Sequence, residues 1–162
     1  MTNPHGRREA APDRHVEQLV TFHVDDLMLG VDVLRVQEVI RHQDMTPVPL
    51  APPVIRGLIN LRGQIVTAID LRRRLGASTS DAGRLPMNVV VRTADRAVSL
   101  LVDEIGDVLE VDEQQREPVP DTLQPPARDV ASGIVKLPRQ LLVVLDVDRT
   151  LALRAVRSAS VP

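Results

Sequence analysis

A mainly β protein built as two small barrels of about five strands each is the fold class this sequence predicts. Three observations carry it. Short apolar runs alternate with turn signals at intervals of about 8–12 residues. The chain is an approximate duplication with a period of roughly 70 residues, too long for a solenoid repeat. Closing each sheet on itself would remove most exposed edges. The duplication is plainest between GLINLRGQIVTAIDL, from Gly57, and GIVKLPRQLLVVLDV, from Gly133. Laid side by side they share Gly57/Gly133, Leu61/Leu137, Gln64/Gln140 and Asp70/Asp146, while Asn60, Arg62 and Gly63 have no counterpart.

Residues 1–14 (MTNPHGRREAAPDR) form a polar tail rich in Arg, Ala and Pro, as chain ends commonly are. Residues 18–24 and 27–33 form a hairpin around Asp25-Asp26. LRVQEVI (34–40) is expected to make about two helical turns. Residues 41–49 run extended to a Pro-Val-Pro, and Ala51-Pro52-Pro53 starts a short turn or helix. Residues 58–61 and 64–70 are strands joined at Arg62-Gly63, with a short amphipathic helix at 71–75 and a loop at 76–86. The pattern then repeats. Residues 88–93 and 96–102 pair around Ala94-Asp95, and DEIGDVL (103–109) falls where LRVQEVI fell. That overlay sets Glu38 on Asp107 and Val39 on Val108. Pro118-Val119-Pro120 echoes Pro47-Val48-Pro49, and Pro125-Pro126 echoes Pro52-Pro53. Residues 148–157 are expected to close the chain as a helix burying Leu151, Leu153 and Val156. Gly57 and Gly133 are expected to relieve strain at tight turns. Asp70 and Asp146, each ending a strand before a helix, suit N-caps.

The chain of 162 residues is 43% apolar, carries a net charge of −2, and has one aromatic residue, Phe22, and no cysteine. An aliphatic core follows, with disulfides and thiolate chemistry excluded. Nothing gathers nucleic acid: the one basic cluster, Arg72-Arg73-Arg74, is interleaved with no aromatic, whereas single-strand binders combine basic grooves with stacking rings. No apolar run reaches the roughly 20 residues of a membrane span, so no direct membrane insertion is expected and a cytoplasmic setting is. No Ser, Thr or Lys stands beside a base in a nucleophile motif. His23, Asp25 and Asp26 read as hairpin-turn composition. The carboxylates from Asp103 to Glu113 read as a solvated face. No catalytic, cofactor-binding or metal-binding residues are assigned.

A protein of this kind works by its surfaces, and the residues the two copies do not share mark where. Arg62, at a hairpin tip before Gly63, presents a cation that either bonds a partner's carboxylate or pairs with Glu38 within the fold. Val36 and Val39 bracket Glu38, as a contact patch or as half-buried core.

Four blocks, GVDVLRVQEVI (30–40), PVPLAPPVIRGLINLRGQIVTAIDLRRRLG (47–76), VSLLVDEIGDVLEV (98–111) and SGIVKLPRQLLVVLDVDRTL (132–151), together resemble the CheW-type chemotaxis coupling proteins. The resemblance spans about residues 15–153. It implies two intertwined five-stranded SH3-like β-barrels with short helices and a C-terminal helix, in a single domain over 15–155 between tails at 1–14 and 156–162. It implies a non-enzymatic adaptor, without cofactor, joining methyl-accepting chemoreceptors at their cytoplasmic tips to the regulatory domain of the histidine kinase CheA. A coupling protein of a non-flagellar surface-sensing, twitching or gliding pathway is the alternative. By the resemblance, Val36, Glu38 and Arg62 are protein-contact residues and Gly57, Gly63 and Gly133 are structural glycines near them; Val39, the other apolar flank of Glu38, is added to the contact residues, and Asn60, from the unshared run, to the structural ones. Two residues depart from the family pattern: Ser99 stands where glycine is common, and the aromatics near the first hairpin are reduced to Phe22.

Overall fold

The computed structural model describes residues 15–77 and 84–152. The expected tails at 1–14 and 156–162 and part of the 76–86 loop lie outside them. Apolar alternation and a two-residue Asp25-Asp26 link make the first hairpin, β1 (Val16–Val24) and β2 (Leu27–Asp32). Asp25 takes the left-handed backbone (φ 53°), which Asp tolerates better than most side chains.

The segment expected to be helical is not. Asp32 Oδ1 accepts the Leu34 N–H at 2.9 Å and caps a single 3₁₀ turn, Val33–Arg35. The chain then extends as β3 (Val36–Ile40), paired with residues 88–91 of the second copy. Val36, Val39 and Ile40 are β-branched, which favours the pleat over the helix. An available edge for hydrogen bonding settles the matter.

The next strands are β4 (Ile55–Leu61) and β5 (Gln64–Asp70), followed by α1 (Leu71–Arg74). The second copy supplies β6 (Met87–Arg92), β7 (Ala97–Val102) and β8 (Glu104–Asp112). A 3₁₀ turn, Glu113–Gln115, leads to β9 (Arg116–Glu117). Then come α2 (Ala127–Val130), β10 (Ala131–Lys136), β11 (Leu141–Leu145) and α3 (Val147–Leu151). The closing helix stops at Leu151, which is buried, and Ala152 is already extended; Leu153 and Val156 lie outside the described residues. The N-cap expectation holds: Asp70 Oδ1 accepts the Arg73 N–H at 3.3 Å, and Asp146 Oδ1 the Arg149 N–H at 3.0 Å.

The strands form two sheets, β3-β6-β7-β5-β4 and β8-β1-β2-β11-β10-β9. The first two strands of each copy lie in the sheet made otherwise by the other copy. Matching β1 to β6, β2 to β7, β3 to β8, β4 to β10 and β5 to β11 turns one strand order into the other, with β9 added. This exchange of hairpins is what makes the barrels intertwined. The joins β5–β7 and β11–β2 are the parallel pairings.

The exchanged hairpins bury their apolar faces in one shared core. Phe22, Leu29 and Val31 come from β1–β2, and Val89, Val91, Val98 and Leu100 from β6–β7. Each barrel has a smaller core on its other face, around Ile59, Val66 and Leu101 in one and Leu19, Val111 and Leu142 in the other.

Gly57 and Gly133 do not sit at turns. Both lie inside strands, at the register shifts of β4–β5 and β10–β11. A Cβ on Gly57 would meet the Thr46 carbonyl oxygen at 2.6 Å, and one on Gly133 the Glu117 carbonyl oxygen at 3.0 Å. Close approach of a neighbouring segment leaves no room for a side chain at Gly57 and crowds one at Gly133, which explains the repeat of the glycine.

The Arg72-Arg73-Arg74 cluster is tied down within the fold. Arg72 donates to Asp103 through Nε at 2.7 Å and Nη2 at 2.8 Å. Arg73 reaches the Pro53 carbonyl at 2.9 Å, and Arg74 the Thr150 and Arg149 carbonyls at 3.0 and 3.1 Å, covering the end of α3.

Candidate functional site

The unshared Asn-Leu-Arg-Gly makes the turn between β4 and β5. Leu61 pairs with Gln64, leaving Arg62 (φ 51°) and Gly63 (φ 88°) as the two central residues. Positive φ at both is the turn whose twist suits a tight hairpin. Gly63 adopts it freely, whereas Arg62 holds it at a cost of about 1 kcal/mol. Asn60 helps, its Oδ1 accepting the Gly63 N–H at 2.9 Å.

The turn aims Arg62 at β3. Its Nη2 donates to Glu38 Oε2 at 2.8 Å. The Arg62 side chain is 83% exposed and that of Glu38 18%, so the carboxylate is sheltered and the cation stands in solvent. β3 and β4 are the two edges of their sheet; the ion pair therefore bridges the seam of that barrel. The structure contains the self-pairing of the two readings open for Arg62. Val36 is half-buried against the shared core, and Val39, one residue beyond Glu38, is exposed.

The second barrel lacks this arrangement. Leu137 donates its N–H to the Gln140 carbonyl at 2.9 Å, which places Pro138-Arg139 where Arg62-Gly63 stand in the first. Asp107 and Val108, the counterparts of Glu38 and Val39, are exposed on β8.

Three features escaped sequence reasoning. Asp103, expected on a solvated face, is half-buried. Burial alone would raise its pKa, but the Arg72 hydrogen bonds, the Asp25 N–H and the positive charges of Arg72 and Arg84 outweigh it and hold the carboxyl below its usual value. Ser99 and Asn88 are fully buried polar residues bonded to each other at 2.8 Å; the absence of glycine at 99 was the only sign of them. A groove of about 760 Å³ runs past Val16, Glu17, Val33, Leu34, Glu110 and Arg116. The helical reading of 34–40 hid Leu34, which is 85% exposed. Among the described residues no three His, Asp or Glu side chains gather to hold a metal, and no helix is long and apolar enough to cross a membrane.

The model of the CheW-like domain family matches residues 18–155. The chemotaxis protein CheW of Thermotoga maritima is 33% identical over 132 residues, 82% of this chain and 85% of that protein. That of Bacillus subtilis is 31% identical over 143 residues, 88% of this chain and 92% of its own. Protein FrzA of Myxococcus xanthus is 32% identical over 120 residues, 74% of this chain and 71% of its length. Among solved structures, the scaffolding protein TtCheW of Thermoanaerobacter tengcongensis matches with a TM-score of 0.73 at 28% identity, covering 80% of this chain and 88% of that one. The chain belongs to the CheW-like domain family, the coupling scaffolds of bacterial chemotaxis.

Proposed function

We propose that this chain joins the regulatory domain of the histidine kinase CheA to the cytoplasmic tips of chemoreceptors, as an adaptor that performs no chemistry of its own. Residues 15–155 act as one docking unit in the cytoplasm, recruited to membrane-bound receptor arrays. Val36, Glu38, Val39 and Arg62 meet the partners, and Gly57, Asn60, Gly63 and Gly133 keep the surrounding backbone in shape. The family match over residues 18–155, nearly the whole paired-barrel unit, carries the reading. The buried position of Phe22, the single aromatic, speaks against a stacking surface for nucleic acid. Chemotaxis is preferred to a surface-sensing, twitching or gliding pathway because the Thermotoga maritima and Bacillus subtilis relatives are chemotaxis proteins CheW and the matching solved structure is a CheW scaffold.

The energetics suit a reversible adaptor. Interfaces of about 800 Å² per partner or less support transient complexes, and rim charges set register and partner choice more than raw affinity. The test is co-sedimentation of the purified full chain with the kinase regulatory domain and, separately, a receptor-tip fragment. The wild type binds both, and Arg62→Ala weakens binding to the partner that engages this tip about tenfold or more while shifting Tm by only a few degrees, since an exposed ion pair is worth about 0–1 kcal/mol. Failure of the wild type to bind either partner rejects the reading. Normal binding by an Arg62→Ala protein that melts much earlier makes Arg62 structural.

A further inference from the structure

We propose that the buried Asn88–Ser99 pair is a positioning device that sets the β3–β4 seam and so holds Glu38 and Arg62 in register for their partners; this rests on the function proposed above.

Asn88 lies on β6 and Ser99 on β7, both fully buried in the smaller core of their barrel. Ser99 Oγ donates to Asn88 Oδ1 at 2.8 Å, and Asn88 Nδ2 donates to the Arg41 carbonyl at 3.1 Å. The relay thus runs from the barrel interior to the residue that follows β3. From Arg41 the chain crosses the seam and pairs with β4, Thr46 and Leu58 exchanging backbone bonds of 2.9 and 2.8 Å. This crossing segment is fixed by Asn88 at its start and Leu58 at its end. Asn88 itself pairs with Ile40, two residues from Glu38. The Glu38–Arg62 bond spans the same seam, so the position of the segment governs whether Arg62 reaches Glu38.

The other barrel shows what the pair replaces. Ala68 stands beside Ser99 and Val144 beside Gly30 in the corresponding parallel joins, which makes Gly30 the counterpart of Ser99. A Cβ on Gly30 would lie 3.3 Å from Leu142 and 3.5 Å from Leu19. By the same matching of strands, Leu19 corresponds to Asn88 and Leu142 to Val66. Gly, Leu and Leu fill the site in one barrel; Ser, Asn and Val fill it in the other. Only the polar set has a donor to spend on a backbone carbonyl. Buried polar groups earn their place only when every partner is present, and here hydroxyl, amide oxygen and amide nitrogen each have one.

The test restores the apolar solution with Asn88→Leu and Ser99→Gly together in the full chain. Each single change should unfold more easily than the pair, since it strands one polar group or crowds the other. The double variant should keep a Tm near wild type, yet bind kinase regulatory domain or receptor tip about three- to tenfold more weakly. Its Thr46 and Leu58 amides should exchange with solvent at least several-fold faster. Ile59→Val, a conservative change in the same core, is the control: it lowers Tm without changing affinity. A double variant with unchanged affinity and unchanged Thr46 and Leu58 exchange overturns the proposal, as does a loss of binding that Ile59→Val matches at equal loss of Tm. If the double variant does not fold, Asn88→Ala, which removes the donor and leaves space, is measured by the same criteria. A wild type that binds neither partner rejects the proposed function instead, and the exchange measurement still decides whether Asn88 sets the seam.

Discussion

Three glycines of this fold are required for different physical reasons, and alanine at each separates them. At Gly57 the new Cβ would stand 2.6 Å from the Thr46 carbonyl oxygen, 3.0 Å from its carbon and 3.2 Å from the Met45 Cβ. The obstacle is backbone, so trimming a neighbouring side chain gives no relief. The crossing segment must move, at the expense of the two Thr46–Leu58 hydrogen bonds, each worth about 1 kcal/mol net. Adding strain at φ +158° brings the expected loss to about 2–4 kcal/mol, the range of severe single substitutions. At Gly133 the Cβ meets the Glu117 carbonyl oxygen at 3.0 Å and Arg116 Nε at 3.1 Å. One of these is the far part of a long side chain, and a cost of about 1–2 kcal/mol is expected. At Gly63 nothing lies within 4 Å, and only the left-handed backbone opposes alanine, by about 1 kcal/mol. Calorimetric melting reads the series: at roughly 2–4 °C per kcal/mol for a domain of this size, Gly57→Ala should lose about 5–15 °C and Gly63→Ala about 2–4 °C. Gly63→Ala as the costliest of the three, or Gly57→Ala within a degree or two of wild type, refutes the close-approach argument.

Asp103 gives a pH dependence. Its carboxyl titrates lower in the folded chain than the roughly 3.9 of an unfolded one, so the unfolded chain takes up the proton first as pH falls. The stabilisation is complete above about pH 5 and is lost as pH drops below about 4 through the folded value. Urea midpoints from pH 7 to pH 3 should show wild type minus Asp103→Asn constant at first and shrinking below about pH 4; a difference that grows on acidification contradicts the Arg72 pairing. Arg74→Ala removes two bonds to the end of α3 and should cost about 1–3 kcal/mol, with faster amide exchange confined mainly to residues 147–152; uniform loss of protection would mean that Arg74 acts elsewhere.

What the sequence made legible was whatever folding demands of both copies. The glycine at each strand bulge and the aspartate at each helix start recur because the same local geometry recurs. Residues 34–40 misled because Leu34, Val36, Val39 and Ile40 pass for a short amphipathic helix. What decides their state is an edge of β6 some 50 residues away, which no local pattern records. The exchange of hairpins was invisible to residue patterning for the same reason: β1–β2 and β6–β7 are apolar enough to fill either sheet, and only the resemblance implied it. The Glu38–Arg62 pairing was half legible. Residue types named the partners, but only the 2.8 Å bond from Arg62 to Glu38 shows the cation turned toward β3. The basic run at 72–74 shows the limit of composition: its charges serve a carboxylate and backbone carbonyls inside the molecule.

The two hairpin tips bear on how a duplicated protein comes to tell its two ends apart. Pro138 has its φ held near −65° by its ring, so the second tip cannot adopt the turn with two positive φ values found at Arg62-Gly63. No substitution at the neighbouring Arg139 alone recreates the first tip. A two-fold-symmetric adaptor would offer the same surface at each end, and discrimination between unlike partners needs a difference. Here a small part of that difference is built into two residues of turn chemistry. Arg62→Pro with Gly63→Arg gives the first barrel the second barrel's tip. Because strands of the same kind already close over Pro-Arg in this molecule, the variant should fold, with Tm within several degrees of wild type, and lose the Glu38 contact. Binding to the partner that engages this tip should fall at least as far as in Arg62→Ala, while the other partner binds as before. Equal weakening toward both partners, or none toward either, would mean that the tips do not distinguish the ends.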